Sequence, residues 1–210
     1  MPMSYSIVLD FDGTVTESDL LDRAAKEFGD PDVYQEVEDG LDEGRLPLRE
    51  VITREFAPVT APLPEVIAWI LEHADIRPGF AEFVSRARAA GWEVQIVSSG
   101  FHELIEPLLE QEGIDVALHA NRLDPRPDGW RVEWRYPDEC DECGESCKRT
   151  LLPEGEVVYV GDGYSDRCAA LAANRVFATS GLARYLAARD APFEPFTDFT
   201  ALSDVLLGHS

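Results

Sequence analysis

The sequence predicts an α/β fold in which a parallel sheet is flanked by helices. Three observations carry this expectation. The short apolar runs Ile7-Val8-Leu9, Val94-Gln95-Ile96-Val97 and Val157-Val158-Tyr159-Val160 have the length and β-branched content of buried strands. Each run ends in polar or acidic residues and leads into a helical pattern. Between the first and second runs, residues 16–76 show helical spacing and no good strand candidate. The expected organisation is a core of residues 1–15 and 77–210, a helical cap over 16–76, and a small β-hairpin flap over about 121–147.

The elements follow in chain order. Strand one runs from about Ser6 to Phe11, and Gly13-Thr14 stop it. Ala24-Ala25, Phe28, Tyr34 and Val37 recur at helical spacing, as do Leu48, Val51-Ile52 and Phe56, and then Val66-Ile67 and Ile70-Leu71. Pro47, Pro58, Pro62 and Pro64 fall near helix starts and ends, where proline is tolerated. Four cap helices are expected. Pro78-Gly79 opens a core helix over Phe80 to Ala90, followed by strand two (Trp92 to Val97), a helix (His102 to Gln111) and a short strand (Val116 to His119). Pro125, Pro127 and Asp128-Gly129 then form a turn. Trp130, Val132, Trp134 and Tyr136 alternate with Arg131, Glu133 and Arg135, a period-two arm of a hairpin. Its aromatic face either packs on the core or borders the site at a flap tip; packing is expected for most of these side chains. The last strand leads through Gly161-Asp162-Gly163-Tyr164-Ser165-Asp166 into a helix over Cys168 to Ala173.

The chemistry concentrates at strand ends. Asp10-Phe11-Asp12-Gly13-Thr14 sets two carboxylates two residues apart. At a strict period of two they would face the same way and repel, so such a pair persists beside something positive, usually a metal ion. The plain alternative is a turn cap. In open parallel sheets, ligands bind at the carboxyl ends of strands. Here three ends supply Asp10 and Asp12, Ser98-Ser99-Gly100, and Asp162 with Asp166.

Asp-Phe-Asp-Gly-Thr, a strand ending in Ser98, Lys148, and Gly161-Asp162-Gly163-x-x-Asp166, in this order, resemble the haloacid dehalogenase superfamily over nearly the whole chain. The resemblance implies a Rossmann-like core. It is nearest to phosphoserine phosphatase-like members with a helical cap, and among these to the methionine-salvage phosphatases acting on 2-hydroxy-3-keto-5-methylthiopentenyl 1-phosphate. It implies a Mg²⁺-dependent phosphomonoesterase. Asp10 would be the nucleophile and form an aspartyl-phosphate, an anhydride itself labile to water. Asp12 would be the general acid and then the general base. Asp10, the Asp12 carbonyl and Asp162 would hold Mg²⁺, with Asp166 holding a metal-bound water or bracing Asp162. Asp166 could equally serve as a helix N-terminal charge. Ser98 and Lys148 would contact the phosphoryl oxygens, with Ser99 and Gly100 beside them; either hydroxyl could also cap the next helix. Asp19 and Arg54 would read the substrate, since Glu55 stands where a carboxylate-reading arginine belongs in phosphoserine phosphatases. Phosphoserine and phosphocholine or phosphoethanolamine esters remain alternative substrates. A non-catalytic phospholigand-binding protein on the same fold is an alternative of another class.

Composition bounds the partners. Eighteen basic residues against 41 acidic give a formal charge of −23, which disfavours nucleic acid and anionic membrane surfaces. A small phosphorylated metabolite is the expected partner, with the protein a monomer or homodimer. Only two residues are lysines, Lys26 and Lys148, so a lysine just before the second acidic turn carries weight. There is no leader pattern and no apolar run of about 18 residues, so a cytoplasmic protein is expected. Cys140, Cys143 and Cys147 form C-x2-C-x3-C. They are read either as a structural Zn²⁺ knuckle holding the loop before Lys148 or as free thiols. The cluster resembles that of the methionine-salvage group and also that of the phosphocholine/phosphoethanolamine phosphatases. His119, Asp141 or Glu142 would complete a zinc set, and Cys168 is expected to be a small buried hydrophobe. His73, His102 and His209 have no partner motif, and His102 is expected at a solvated helix start.

Overall fold

The run Ser6–Leu9 forms strand β1 in a computed structural model that describes residues 5–135, 140–144 and 147–208. Ile7 and Leu9 are buried on one face and Val8 on the other. Burial on both faces is what a central strand of a parallel sheet requires. β1 pairs in parallel with β2 (Glu93–Phe101) on one side and β5 (Val157–Gly161) on the other. With β3 (Ala117–Asp124), β4 (Arg131–Glu133), β6 (Arg175–Ala178) and β7 (Glu194–Pro195), the sheet order is β4-β3-β2-β1-β5-β6-β7. Among the described strands only the β3–β4 pair is antiparallel. The strand order therefore reverses direction at β1, and the crevice at its carboxyl end is where an α/β sheet binds ligands.

Between β1 and the next core helix, residues 16–76 form α1 (Leu20–Phe28), α2 (Pro31–Asp42), α3 (Leu48–Phe56) and α4 (Leu63–His73). Asp19 and Asp30 cap α1 and α2 with their carboxylates, and Pro31 opens α2. The two connections of this segment run side by side. Thr16 and Ile76 form an antiparallel bridge, and the Arg77 guanidinium donates to the Thr14 and Gly13 carbonyls at 2.8 Å each. The neck of the insertion is thereby tied to the loop after β1. One sheet face carries α5 (Phe80–Ala89), α6 (His102–Gln111) and α9 (Phe199–Leu207), with the rings of Phe80, Phe83 and Phe196 each against that of Phe199. The other packs α7 (Arg167–Ala170) and α8 (Ser180–Ala187) over Val8, Val97 and Tyr159.

Several elements differ from expectation. β2 continues past Val97 through Ser98 and Ser99 to Phe101, with an irregular register against β3, so the polar residues lie inside a strand. β3 extends to Asp124 because it also serves β4. Among the described residues the period-two arm pairs over Arg131–Glu133, and Tyr136 lies outside them. Trp130 is buried as expected, and its neighbours come from the insertion: it lies near-parallel to Phe56, and its indole donates to Ala61 O at 3.1 Å. Trp134 donates to the Thr53 hydroxyl at 3.1 Å. The hairpin thus clasps α3 from the core side. The helix expected over Cys168 to Ala173 is a single turn, because Asn174 already turns back to bond Val157. No helix among the described residues is long and apolar enough to cross a membrane.

Candidate active site

Asp10 leaves β1 with its N–H donating to Val160 O at 2.9 Å, so the β1–β5 pairing fixes its backbone. Lys148 opens a 3-10 turn, Lys148–Leu151, and is buried. Its ammonium donates to the Asp10 carboxylate and, at 2.7 Å, to Asp166. Asp166 is completely buried. It also accepts from the Tyr159 hydroxyl at 2.7 Å and from the Asp162 and Gly163 N–H groups at 2.9 Å. Burial alone would raise its pKa; Lys148 and these donors hold it below the ordinary value. Asp166 is therefore a fixed anion that orients Lys148 and shapes the turn carrying Asp162.

Carboxylate oxygens of Asp10, Asp162 and Asp166 lie within 4.8 Å of one another. Burial raises Asp10, the Asp166 and Asp162 charges add to this, and Lys148 opposes them. Asp162 is raised to about 6, first by burial and then by Asp166. Three carboxylates around one ammonium leave an excess of negative charge. An all-oxygen donor set with that excess fits a hard divalent cation such as Mg²⁺. Gly13 makes the close approach possible. Its φ is +74°, and a Cβ there would stand 2.6 Å from Asp162 Oδ2.

The Asp12 side chain does not share this cluster. Its carboxylate accepts from the N–H groups of Leu20 and Leu21, at 3.2 and 3.1 Å, at the start of α1. The expectation of two aligned carboxylates around one ion is corrected here: β1 ends at Leu9, so the period of two does not extend through the pair. Burial first, and the nearby Asp19 second, raise Asp12 to about 8. Ser98 is buried, and its hydroxyl accepts from Gly100 N–H at 2.9 Å. A Cβ at Gly100 would sit 3.1 Å from Ser98 Oγ and 3.2 Å from Asp12 Oδ2, so its absence keeps these two groups clear.

A cavity of about 330 Å³ separates core and insertion. Asp10, Asp12, Ser98, Ser99, Gly100 and Asp162 face it from the core. The insertion contributes Leu21, Leu41, Leu48, Val51 and Ile52, together with Asp19, Asp22, Glu38 and Glu55. Asp19 thus reaches the site as expected. Arg54 does not: it lies off the inward stripe of α3 and pairs with Glu36 at 2.8 Å on the outer surface. Glu55 stands in its place, buried on the stripe shared by Val51, Ile52 and Phe56. Burial, then Glu38, Asp22 and Asp19, raise Glu55 to about 8. A charged residue on an apolar helical stripe was the sequence signal for it. Asp22 and Glu38 offered no such signal, and Tyr159 looked like an ordinary strand aromatic.

Two further expectations are corrected. His102 is buried, not solvated. Arg135 donates to its Nε2 at 2.9 Å, which leaves Nδ1 to donate to Glu106 at 2.6 Å. Cys168 is not an isolated hydrophobe, because its sulfur joins those of Cys140, Cys143 and Cys147 within 4.8 Å; His119, Asp141 and Glu142 are not in that group.

Comparison with known proteins agrees with this geometry. The family model described as haloacid dehalogenase-like hydrolase matches residues 7–171. A 2-hydroxy-3-keto-5-methylthiopentenyl-1-phosphate phosphatase of Brevibacillus brevis is 32% identical, over 94% of this chain and 93% of its own. One of Geobacillus thermodenitrificans is 31% identical over 97% of both chains. Among solved structures, a substrate-bound phosphoserine phosphatase complex superposes with a TM-score of 0.72 at 19% identity, covering 98% of this chain and 99% of that one. A phospho-aspartyl intermediate analogue of phosphoserine phosphatase gives 0.69 at 20% identity, covering 96% and 98%. At that identity the structural likeness speaks for the fold.

Proposed function

We propose that this chain, which belongs to the haloacid dehalogenase-like hydrolase family and is a phosphatase, hydrolyses 2-hydroxy-3-keto-5-methylthiopentenyl 1-phosphate. In this reading residues 16–76 are the cap that selects the substrate, and 1–15 with 77–210 are the catalytic core. The observation that carries the substrate is the wall of the cavity. Among the described residues no lysine or arginine lines it, and five aliphatic side chains do. The proposed substrate carries no charge beyond its phosphate and ends in a methylthio group, which suits that wall. Phosphoserine would set a carboxylate against Asp19, Glu38 and Glu55. The acids favour a second reading, an amine-bearing ester such as phosphoethanolamine. Against it, burial keeps Glu55 protonated at neutral pH, so it offers a tail a hydrogen-bond donor rather than a charge.

The reaction follows from the groups around the floor. Asp10 attacks phosphorus in line while Lys148 and the Ser98 region receive the phosphoryl oxygens. The P–O bond to the substrate breaks, and Asp12, protonated at neutral pH, gives its proton to the leaving oxygen. Asp12, now ionised, takes a proton from water as that water attacks the aspartyl-phosphate, which returns Asp10 and releases inorganic phosphate. Bound by Asp10, Asp162 and the Asp12 carbonyl, Mg²⁺ would neutralise charge on the transferring group. Asp166 works through Lys148 and the Asp162 backbone.

The test is phosphate release from the methylthio substrate, phosphoserine, phosphoethanolamine and phosphocholine, with and without Mg²⁺. The expected kcat/KM for the methylthio substrate exceeds that for phosphoserine by about 100-fold or more, and both chelation and Asp10→Asn abolish release. A preference for any of the other three esters overturns the substrate. Full turnover by Asp10→Asn overturns the mechanism.

A further inference from the structure

We propose that Cys140, Cys143, Cys147 and Cys168 hold one zinc ion as a tetrathiolate, and that this ion anchors the segment delivering Lys148. The four sulfurs lie within 4.8 Å of one another, and Cys140 Sγ stands 3.9 Å from Cys168 Sγ. A tetrahedral ZnS₄ centre with Zn–S bonds of about 2.3 Å has sulfur–sulfur edges of about 3.8 Å. The pair is therefore spaced as two ligands of one ion. None of the four cysteines is in a disulfide, a bond that would bring two sulfurs to about 2.05 Å.

The backbone is arranged for negative sulfur. The N–H groups of Glu142 and Cys143 donate to the Cys140 sulfur, and that of Arg149 donates to Cys147. In each case a donor comes from two residues further on, so both halves of the cluster use the same local turn. Gly144, with φ +70°, closes the first turn by donating to Cys140 O at 2.7 Å. Four thiolates around Zn²⁺ carry a net charge of −2. In a chain of charge −23, three arginines nonetheless gather beside the cluster: Arg149, Arg167 and Arg189 line the adjoining cavity, and Arg149 donates to the Cys168 sulfur.

The position of the cluster gives it a role. Cys147 immediately precedes Lys148, and Cys168 lies two residues after Asp166. An ion joining these cysteines ties together the two segments that meet in the Lys148–Asp166 ion pair. Four thiolates are built for a soft or borderline cation, in contrast to the all-oxygen Asp10–Asp162–Asp166 group.

Protein purified in reducing buffer without chelator is assayed for zinc by elemental analysis, and cobalt-loaded protein is examined for thiolate-to-cobalt charge-transfer bands. The expected result is about one zinc per chain, released by a mercurial thiol reagent, and tetrahedral cobalt bands. Cys168→Ser and Cys143→Ser lose the zinc, while Asp162→Asn retains it, which separates this site from the carboxylate group. Zinc removal speeds amide exchange at Lys148–Leu151 about tenfold or more and leaves β5 unchanged. Less than about a tenth of an equivalent of zinc in the wild-type protein, even after reconstitution with equimolar zinc, overturns the site. So does full zinc in Cys168→Ser, or thiol titration showing a disulfide in its place. Unchanged exchange at Lys148–Leu151 overturns the anchoring role.

Discussion

Replacing Glu55 by glutamine should flatten the pH dependence of stability. Glu55 is 7% exposed and lies on the inward face of α3. Burial, then the Glu38, Asp22 and Asp19 charges, move its pKa from the ordinary 4.5 to about 8, with only Lys26 opposing. Between these values the folded chain keeps a proton that the unfolded chain has released. The unfolded state binds fewer protons there, so stability falls as pH rises. The stabilisation is fully present below 4.5 and is lost as pH passes 8. At 1.36 kcal/mol per pH unit, the loss between about pH 5 and pH 8 is roughly 3 to 4 kcal/mol. Urea unfolding of both proteins at fixed Mg²⁺ across that range reads it directly. The wild type should lose that much relative to Glu55→Gln, whose side chain fills the same space and never ionises. If the two curves stay parallel within about 1 kcal/mol, Glu55 is ionised in the folded protein and the account of the cavity wall fails.

Asp12 gives a second pH signature: kcat/KM should fall above about pH 8, as its raised carboxyl loses the proton needed by the leaving oxygen. Asp12→Asn should release about one equivalent of nitrophenol per chain from nitrophenyl phosphate and then stall, because the second step lacks its base; steady turnover would count against the role. Lys148→Met leaves Asp10 and Asp166 buried without their cation and should cost about 3–5 kcal/mol at neutral pH. Urea unfolding should show that deficit narrowing in acid, where Asp166 is protonated. Gly129→Ala should destabilise by about 1–3 kcal/mol, since φ is +126° there and the new Cβ would lie 2.2 Å from Ala57 O. Its clearest readout is faster amide exchange in α3.

The parts of the site legible in the sequence are those whose position is set by a strand end. Asp10, Ser98 and Asp162 follow or end buried apolar runs, and the end of such a run fixes where the next side chain emerges. Lys148 was legible for another reason, its rarity in the chain. What escaped notice depends on which way a helix faces. Arg54 and Glu55 are neighbours, and only the orientation of α3 decides that Glu55 enters the cavity while Arg54 meets Glu36 outside. Cys168 escaped because its partners are more than 20 residues away, and only the packing of α7 against the Lys148 turn brings them together. The short elements after Asn174 gave no clear periodicity, since β6 and β7 have four and two residues. His102 read as solvated because nothing local shows that Arg135, on the hairpin, reaches back to cover it.

The two carboxylates of Asp10-Phe11-Asp12 acquire different chemistry because the chain changes direction between them. Asp10 is still held by the β1–β5 pairing, so its carboxylate meets Lys148 and the acids on the β5 turn. By Asp12 the chain has begun the turn around Gly13, and the side chain reaches α1 instead. At the first position burial and the Asp166 and Asp162 charges raise the carboxyl, and the Lys148 ammonium opposes them by favouring the ionised form that a nucleophile requires. The second favours a proton, because burial first and the Asp19 charge second outweigh the Leu20 and Leu21 N–H groups and the Lys148 charge. Those N–H groups belong to the insertion. Any movement of α1 away from the core would uncover Asp12, lower its pKa and remove the acid. If Asp12 is the proton donor proposed above, its proton transfer would be coupled to the same contact between α1 and the core that bounds the cavity.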